Sequence, residues 1–69
     1  MSRKEILISD VEIGQIGFYK IGMATYFAKK TTDSSIALWE IYNKDPYHST
    51  ADRNETVNPF TTHMEINAE

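Results

Sequence analysis

The chain has 69 residues, 41% of them hydrophobic and 25% charged, with no cysteine and a formal charge of −3. A chain this short buries only about 60% of its extended surface, so it holds a single domain, with neither a disulfide nor a thiolate-bound metal to staple it. Its composition is that of a folded chain rather than a disordered one, and its first apolar run, Ile6-Leu7-Ile8, is too short for a secretory h-region or a membrane span. A cytoplasmic protein is expected, with no membrane partner.

In chain order, a first strand is expected over residues 4–9, followed by an irregular pair over 12–17. Residues 11–30 could also be read as a helix, because Ile13, Ile16 and Phe27 partly fit a 3.6-residue period. Gly14, Gly17 and Gly22 oppose that reading, at about 1 kcal/mol each relative to alanine. The β-branched and aromatic residues Val11, Ile13, Ile16, Phe18, Tyr19, Ile21, Thr25, Tyr26 and Phe27 favour a pleated surface, with the glycines at bends or bulges. The spacing therefore predicts a long strand over 18–31, broken or bulged near Gly22. Thr31-Thr32-Asp33-Ser34 has the composition of a tight turn, and residues 35–43 form the returning strand.

In that returning strand Ile36, Leu38, Glu40 and Tyr42 share one face, while Ala37, Trp39 and Ile41 share the other. Both faces are mostly apolar, which is the mark of a central strand. The hairpin over 23–43 is expected to organise the fold. Residues 43–59 then form a polar loop, long for so small a domain, in which Ser49 and Asp52 are placed to start one short helical turn within 49–57. A last strand over 60–67 sets Phe60, Thr62, Met64 and Ile66 against the core and turns Thr61, His63, Glu65 and Asn67 outward. The expected fold is mainly β: one domain over 1–69, built as a small antiparallel sheet or SH3-like barrel of four to five strands.

Chemistry-bearing residues are sparse. His48 lies in the polar loop with Asp45, Asp52 and Glu55, and His63 lies on the last strand. Their spacing matches no compact ligand motif, so two solvated histidines are the simpler reading. Ser49 follows His48 directly, and adjacent residues of a strand face opposite ways, which spoils a dyad. Glu40, between Trp39 and Ile41, is a candidate general acid, but a solvent-facing strand residue accounts for it as well. The spacing Gly-x-x-Gly-x-x-x-x-Gly fits neither phosphate-loop pattern. No catalytic residue, metal ligand or cofactor is expected, and the chain is read as a non-enzyme.

The aromatics are more informative. Phe18 and Tyr19, like Tyr26 and Phe27, are neighbours that must face opposite sides of a strand, so aromatic surface is expected outside the core or beneath a partner. Tyr19, Tyr26, Trp39, Tyr42 and Tyr47, with His48 in the loop, are the expected partner-binding residues, since amphipathic aromatics are enriched at protein interfaces. The resulting expectation is a small non-catalytic regulator or inhibitor that binds another protein, of the accessory kind carried by phages. A homodimer through an exposed strand edge is expected as a further contact. The alternative is a nucleic-acid-binding β-barrel that stacks bases on its aromatics and uses Lys20, Lys29 and Lys30. Charge weakens that alternative, because residues 1–34 hold five basic and four acidic side chains and residues 35–69 hold two basic and six acidic.

Overall fold

Residues 2–42 and 45–68 are described by a computed structural model of the chain, with side chains over 3–42 and 45–67. Six strands form: β1 (Ser2–Leu7), β2 (Ile16–Ile21), β3 (Ala24–Thr32), β4 (Ser35–Glu40), β5 (Arg53–Thr56) and β6 (His63–Ala68), with a 3-10 turn at Ile8–Asp10. They make one antiparallel sheet in the order β1-β6-β2-β3-β4-β5. The sheet is not closed into a barrel, which excludes the barrel form of the expected fold and leaves β1 and β5 as open edges.

Local chemistry explains the meander from β2 to β4. Gly22 has φ +60° and, with Met23, makes the two-residue link between Ile21 and Ala24. A positive φ at the first central position is what a type II′ hairpin requires, and its twist matches that of the flanking strands. The expected long strand over 18–31 is thus two strands joined by a tight turn. At the next turn the Thr31 and Thr32 hydroxyls both reach Ser35 Oγ, at 2.8 and 2.6 Å. β4 is buried on both faces, as its alternation implies: Ile36 and Leu38 on one side, Ala37 and Trp39 on the other.

The core lies on one face of the sheet. Ala28, Ile36, Leu38 and Met64 are buried there with Ile8 and Val11, which the 3-10 turn folds beneath the strands; Ile6, Tyr19, Ile21, Tyr26, Val57 and Ile66 pack around them. Lys30 stands in the same row, 4% exposed, and its Nζ donates to the carbonyls of Ile8 and Val11, each at 2.7 Å. Those bonds offset the cost of taking an ammonium out of water, and they pin the 3-10 turn to β3. Gly17 is buried between β2 and β6, where an added Cβ would lie 2.2 Å from the Glu65 carbonyl oxygen.

Residues 49–57 do not form the expected helical turn. Arg53–Thr56 is instead strand β5, held to β4 at both ends: the Asp52 amide donates to Leu38 O and the Val57 amide to Ser34 O, each at 2.8 Å. The backbone of β4 needs a second ladder partner, and that demand outweighs local turn chemistry. β4 ends at Glu40, short of the expected strand over 35–43, and positions 43 and 44 lie outside the described residues. The last strand begins at His63, because Asn58 takes the preceding segment into a turn: its Oδ1 accepts from the Phe60 amide at 2.9 Å, and its carbonyl from Thr62 at 3.0 Å. Phe60 is consequently exposed rather than in the core.

Candidate partner-binding cleft

The face of the sheet opposite the core carries an aromatic row. The II′ turn sets Phe18 opposite Phe27, and Phe27 in turn faces Trp39. The Phe18 and Phe27 rings are tilted, with centroids 5.5 Å apart. The Arg3 guanidinium sits 3.8 Å above the Phe18 ring, a cation–π contact of about 0.5–1 kcal/mol at an exposed site. Glu65 faces Phe18 from β6 and receives Arg3 at 3.7 Å and Lys20 at 3.5 Å.

Asp45 builds a turn across this row. Its Oδ1 accepts from the Tyr47 amide at 2.8 Å and its Oδ2 contacts His48 Nδ1 at 2.5 Å, while its carbonyl accepts from the Ser49 amide and hydroxyl at 2.9 and 2.6 Å. The hydrogen bond from the His48 ring, and then that from the Tyr47 amide, hold the Asp45 carboxyl below the ordinary carboxylate range. The turn is strapped to the sheet by Trp39, whose Nε1 donates to Ser49 O at 3.0 Å. A cleft of about 400 Å³ results, with Ile16, Phe18 and Phe27 supplied by the sheet and Pro46 and Tyr47 by the turn; Asp45 and Asn67 give it polar groups.

Such a cleft is suited to holding an apolar or aromatic group. In the turn beside it, the Ser49 hydroxyl is bonded to the Asp45 carbonyl and the His48 ring to the Asp45 carboxylate, not to each other. Among the described residues no group of three His, Asp or Glu side chains is placed to hold a metal ion, and no helix is long and apolar enough to cross a membrane.

The expected partner-binding residues are distributed over three places. Trp39, Tyr47 and His48 belong to the cleft and its turn, but Trp39 is 3% exposed and acts as the strap's anchor, whereas Tyr47 is 75% exposed. Tyr19 and Tyr26 face each other across β2 and β3 on the core side of the sheet. Tyr42 is exposed beyond the end of β4, beside Met23 and Ile41. The three lysines are divided as well: Lys20 is paired with Glu65, Lys29 shares the outer row with Ile16 and Ala37, and Lys30 is spent inside the core. Lys20 and Lys29 lie at opposite ends of the outer face, and Lys30 does not join them. Comparison with known families, curated proteins and solved structures finds no match.

Phe18, Phe27 and Pro46 enter the cleft although none was among the expected binding residues. The first two were reachable by counting outward from Gly22-Met23, since a two-residue turn there fixes Phe18 against Phe27. The packing of Pro46 and Tyr47 over them depends on a backbone carbonyl, that of Ser49, and leaves no mark in the pattern of side chains.

Proposed function

We propose that the chain is a small, non-catalytic protein-binding module that regulates or inhibits its partner by occupying a surface on it. The observation that carries this reading is the cleft between the aromatic row and the Asp45 turn, ready-formed and lined by Phe18, Phe27, Pro46 and the largely exposed Tyr47. Aromatic residues in a pre-organised groove bind at small entropic cost, which is how peptide-recognition grooves gain affinity. The partner segment that fits inserts one apolar or aromatic side chain and sets a basic group beside Asp45, in keeping with the net acidity of residues 35–69.

The reading is tested by selecting peptides on the purified chain and mapping the best of them by amide chemical shifts. Shifts should gather at Ile16, Phe18, Phe27, Tyr47 and Asn67, and Tyr47→Ala should weaken binding about tenfold or more while the chain stays folded. Shifts confined to another face would refute it, as would a nucleic-acid ligand whose affinity falls steeply with salt.

A further inference from the structure

The open edges β1 and β5 each present unpaired backbone N–H and C=O groups, the template for another strand. The ladders tell which residues carry them. Along β5, the Val57 amide donates to Ser34 O and Ser35 faces Thr56. Antiparallel bonding alternates between opposed pairs, so Glu55 and Arg53 direct their backbone groups at Ile36 and Leu38, and Asn54 and Thr56 direct theirs outward. Along β1, the Ile8 amide donates to Thr62 O at 2.9 Å and Leu7 faces His63, so Arg3, Glu5 and Leu7 point outward.

A two-fold axis normal to the sheet can join two copies at either edge, and opposed residues must then share a face. At β1, a register centred on Lys4 sets Lys4 against the same lysine of the second copy, one centred on Glu5 opposes two glutamates, and one centred on Ile6 sets Glu5 against Leu7, with no pair of opposite charge. Like charges directly opposed on a sheet are destabilising. At β5, registers centred on Arg53 or Glu55 fail in the same way. A register centred on Asn54 does not. It sets the outward N–H and C=O of Asn54 against those of Asn54 in the second copy, and it places Arg53 of each copy opposite Glu55 of the other.

Both charged side chains are available for this exchange. Arg53 and Glu55 lie on one face, bond to each other at 3.1 Å, and have side chains 47% and 36% exposed. We infer that β5 is a self-association edge on which a second copy of this chain docks antiparallel, in the register centred on Asn54. The strand is four residues long, so the contact is small and the dimer is reversible rather than obligate. The axis keeps both outer faces on one side of the joined sheet, which presents two clefts side by side. The inference rests on backbone direction and charge, and it stands whether or not the cleft binds a peptide.

Sedimentation equilibrium of the full chain, over a wide concentration range at low salt, tests it through a pair of charge variants. The wild type should show a reversible monomer–dimer equilibrium that weakens when salt near 1 M cuts the screening length to about 3 Å. Arg53→Glu alone opposes acids and Glu55→Arg alone opposes bases, so each should associate at least about tenfold more weakly than the wild type. An equimolar mixture of the two variants should regain the dimer, because every facing pair is then of opposite charge. Asn54→Pro, which removes only an outward-pointing N–H, should keep the wild-type circular dichroism and lose association. A wild type that stays monomeric at every concentration overturns the inference. So do single variants that associate as tightly as the wild type, or growth into open polymers, which would mean that β5 meets β1 instead.

Discussion

Replacing Gly17 with alanine puts the spacing of β2 and β6 to a direct test. The new Cβ would lie 2.2 Å from Glu65 O and 3.0 Å from Met64 Cε. An unstrained carbon–oxygen contact needs about 3.3 Å or more, so the two strands must separate by about 1 Å. Met64 Cε is the end of a flexible side chain and can give way, but the Glu65 carbonyl belongs to the neighbouring backbone and cannot do so without disturbing the ladder. Without that contact, alanine would be the better residue in a strand, gaining about 0.4–1 kcal/mol through the unfolded state. Overpacking a well-packed site costs about 1–3 kcal/mol, which leaves a net loss of about 1.3 kcal/mol. For a chain of this size, that lowers the melting temperature by about 5–10 °C. Thermal melts by circular dichroism, with urea unfolding as a second measure, read the change directly. A variant as stable as the wild type, or more so, would refute the close approach, because the sign of the effect depends on it.

Two other expectations concern the ends of the core and the strap. Lys30→Met keeps most of the length of the side chain but leaves the Val11 carbonyl without its Lys30 donor and the Ile8 carbonyl with only the Val11 amide, at a cost of about 1–3 kcal/mol in all. Urea unfolding should show the loss, and amide exchange should quicken first around Ile8–Asp10; unchanged exchange there would remove Lys30 as the pin of that turn. Acid should release the strap. The Asp45 carboxyl is held low in the folded chain by His48 and the Tyr47 amide, so its contribution is complete above the ordinary carboxylate range and is lost as pH falls through the lowered value. Trp39, the sole tryptophan, donates to Ser49 in the same turn, so its emission should shift to the red over that acid window and Asp45→Asn should lack the transition. Identical acid titrations of the two proteins would exclude Asp45 as the group responsible.

The parts of the fold that could be read from the sequence are those set by side-chain alternation within one strand. Ile36 and Leu38 against Ala37 and Trp39 announce a strand buried on both sides, and the polar cluster from Thr31 to Ser34 announces its turn. β5 escapes such reading because Arg53, Asn54, Glu55 and Thr56 hold no apolar residue; its place is fixed by the backbone of β4, far away in sequence. Gly17 looks like a bend in the sequence, and only the position of β6 reveals a close approach. Lys30 reads as a surface charge beside Lys29, although its alternation with Ala28 already puts it in the core row. The cleft divides along the same line: Phe18 and Phe27 follow from hairpin counting, whereas the seat of Pro46 and Tyr47 follows from one hydrogen bond between Trp39 and the Ser49 carbonyl.

The pairing of β1 with β6 bears on the order in which the sheet assembles. Its register runs from Ser2 with Ala68 to Leu7 with His63, so nearly the whole chain must be closed into a loop before the first bond of that ladder forms. Closing a loop of about sixty residues costs about 1.6 kcal/mol more than closing one of ten, and no local turn offsets it. The β2–β3–β4 meander, with its short turns, can therefore zip first, while β1, an edge strand held on one side only, is gained late. Its release carries Arg3 away from Phe18 and from Glu65. Fraying at one edge of the molecule thus reaches the aromatic floor of the cleft, and the firmness of that floor depends on the most distant pairing in the chain.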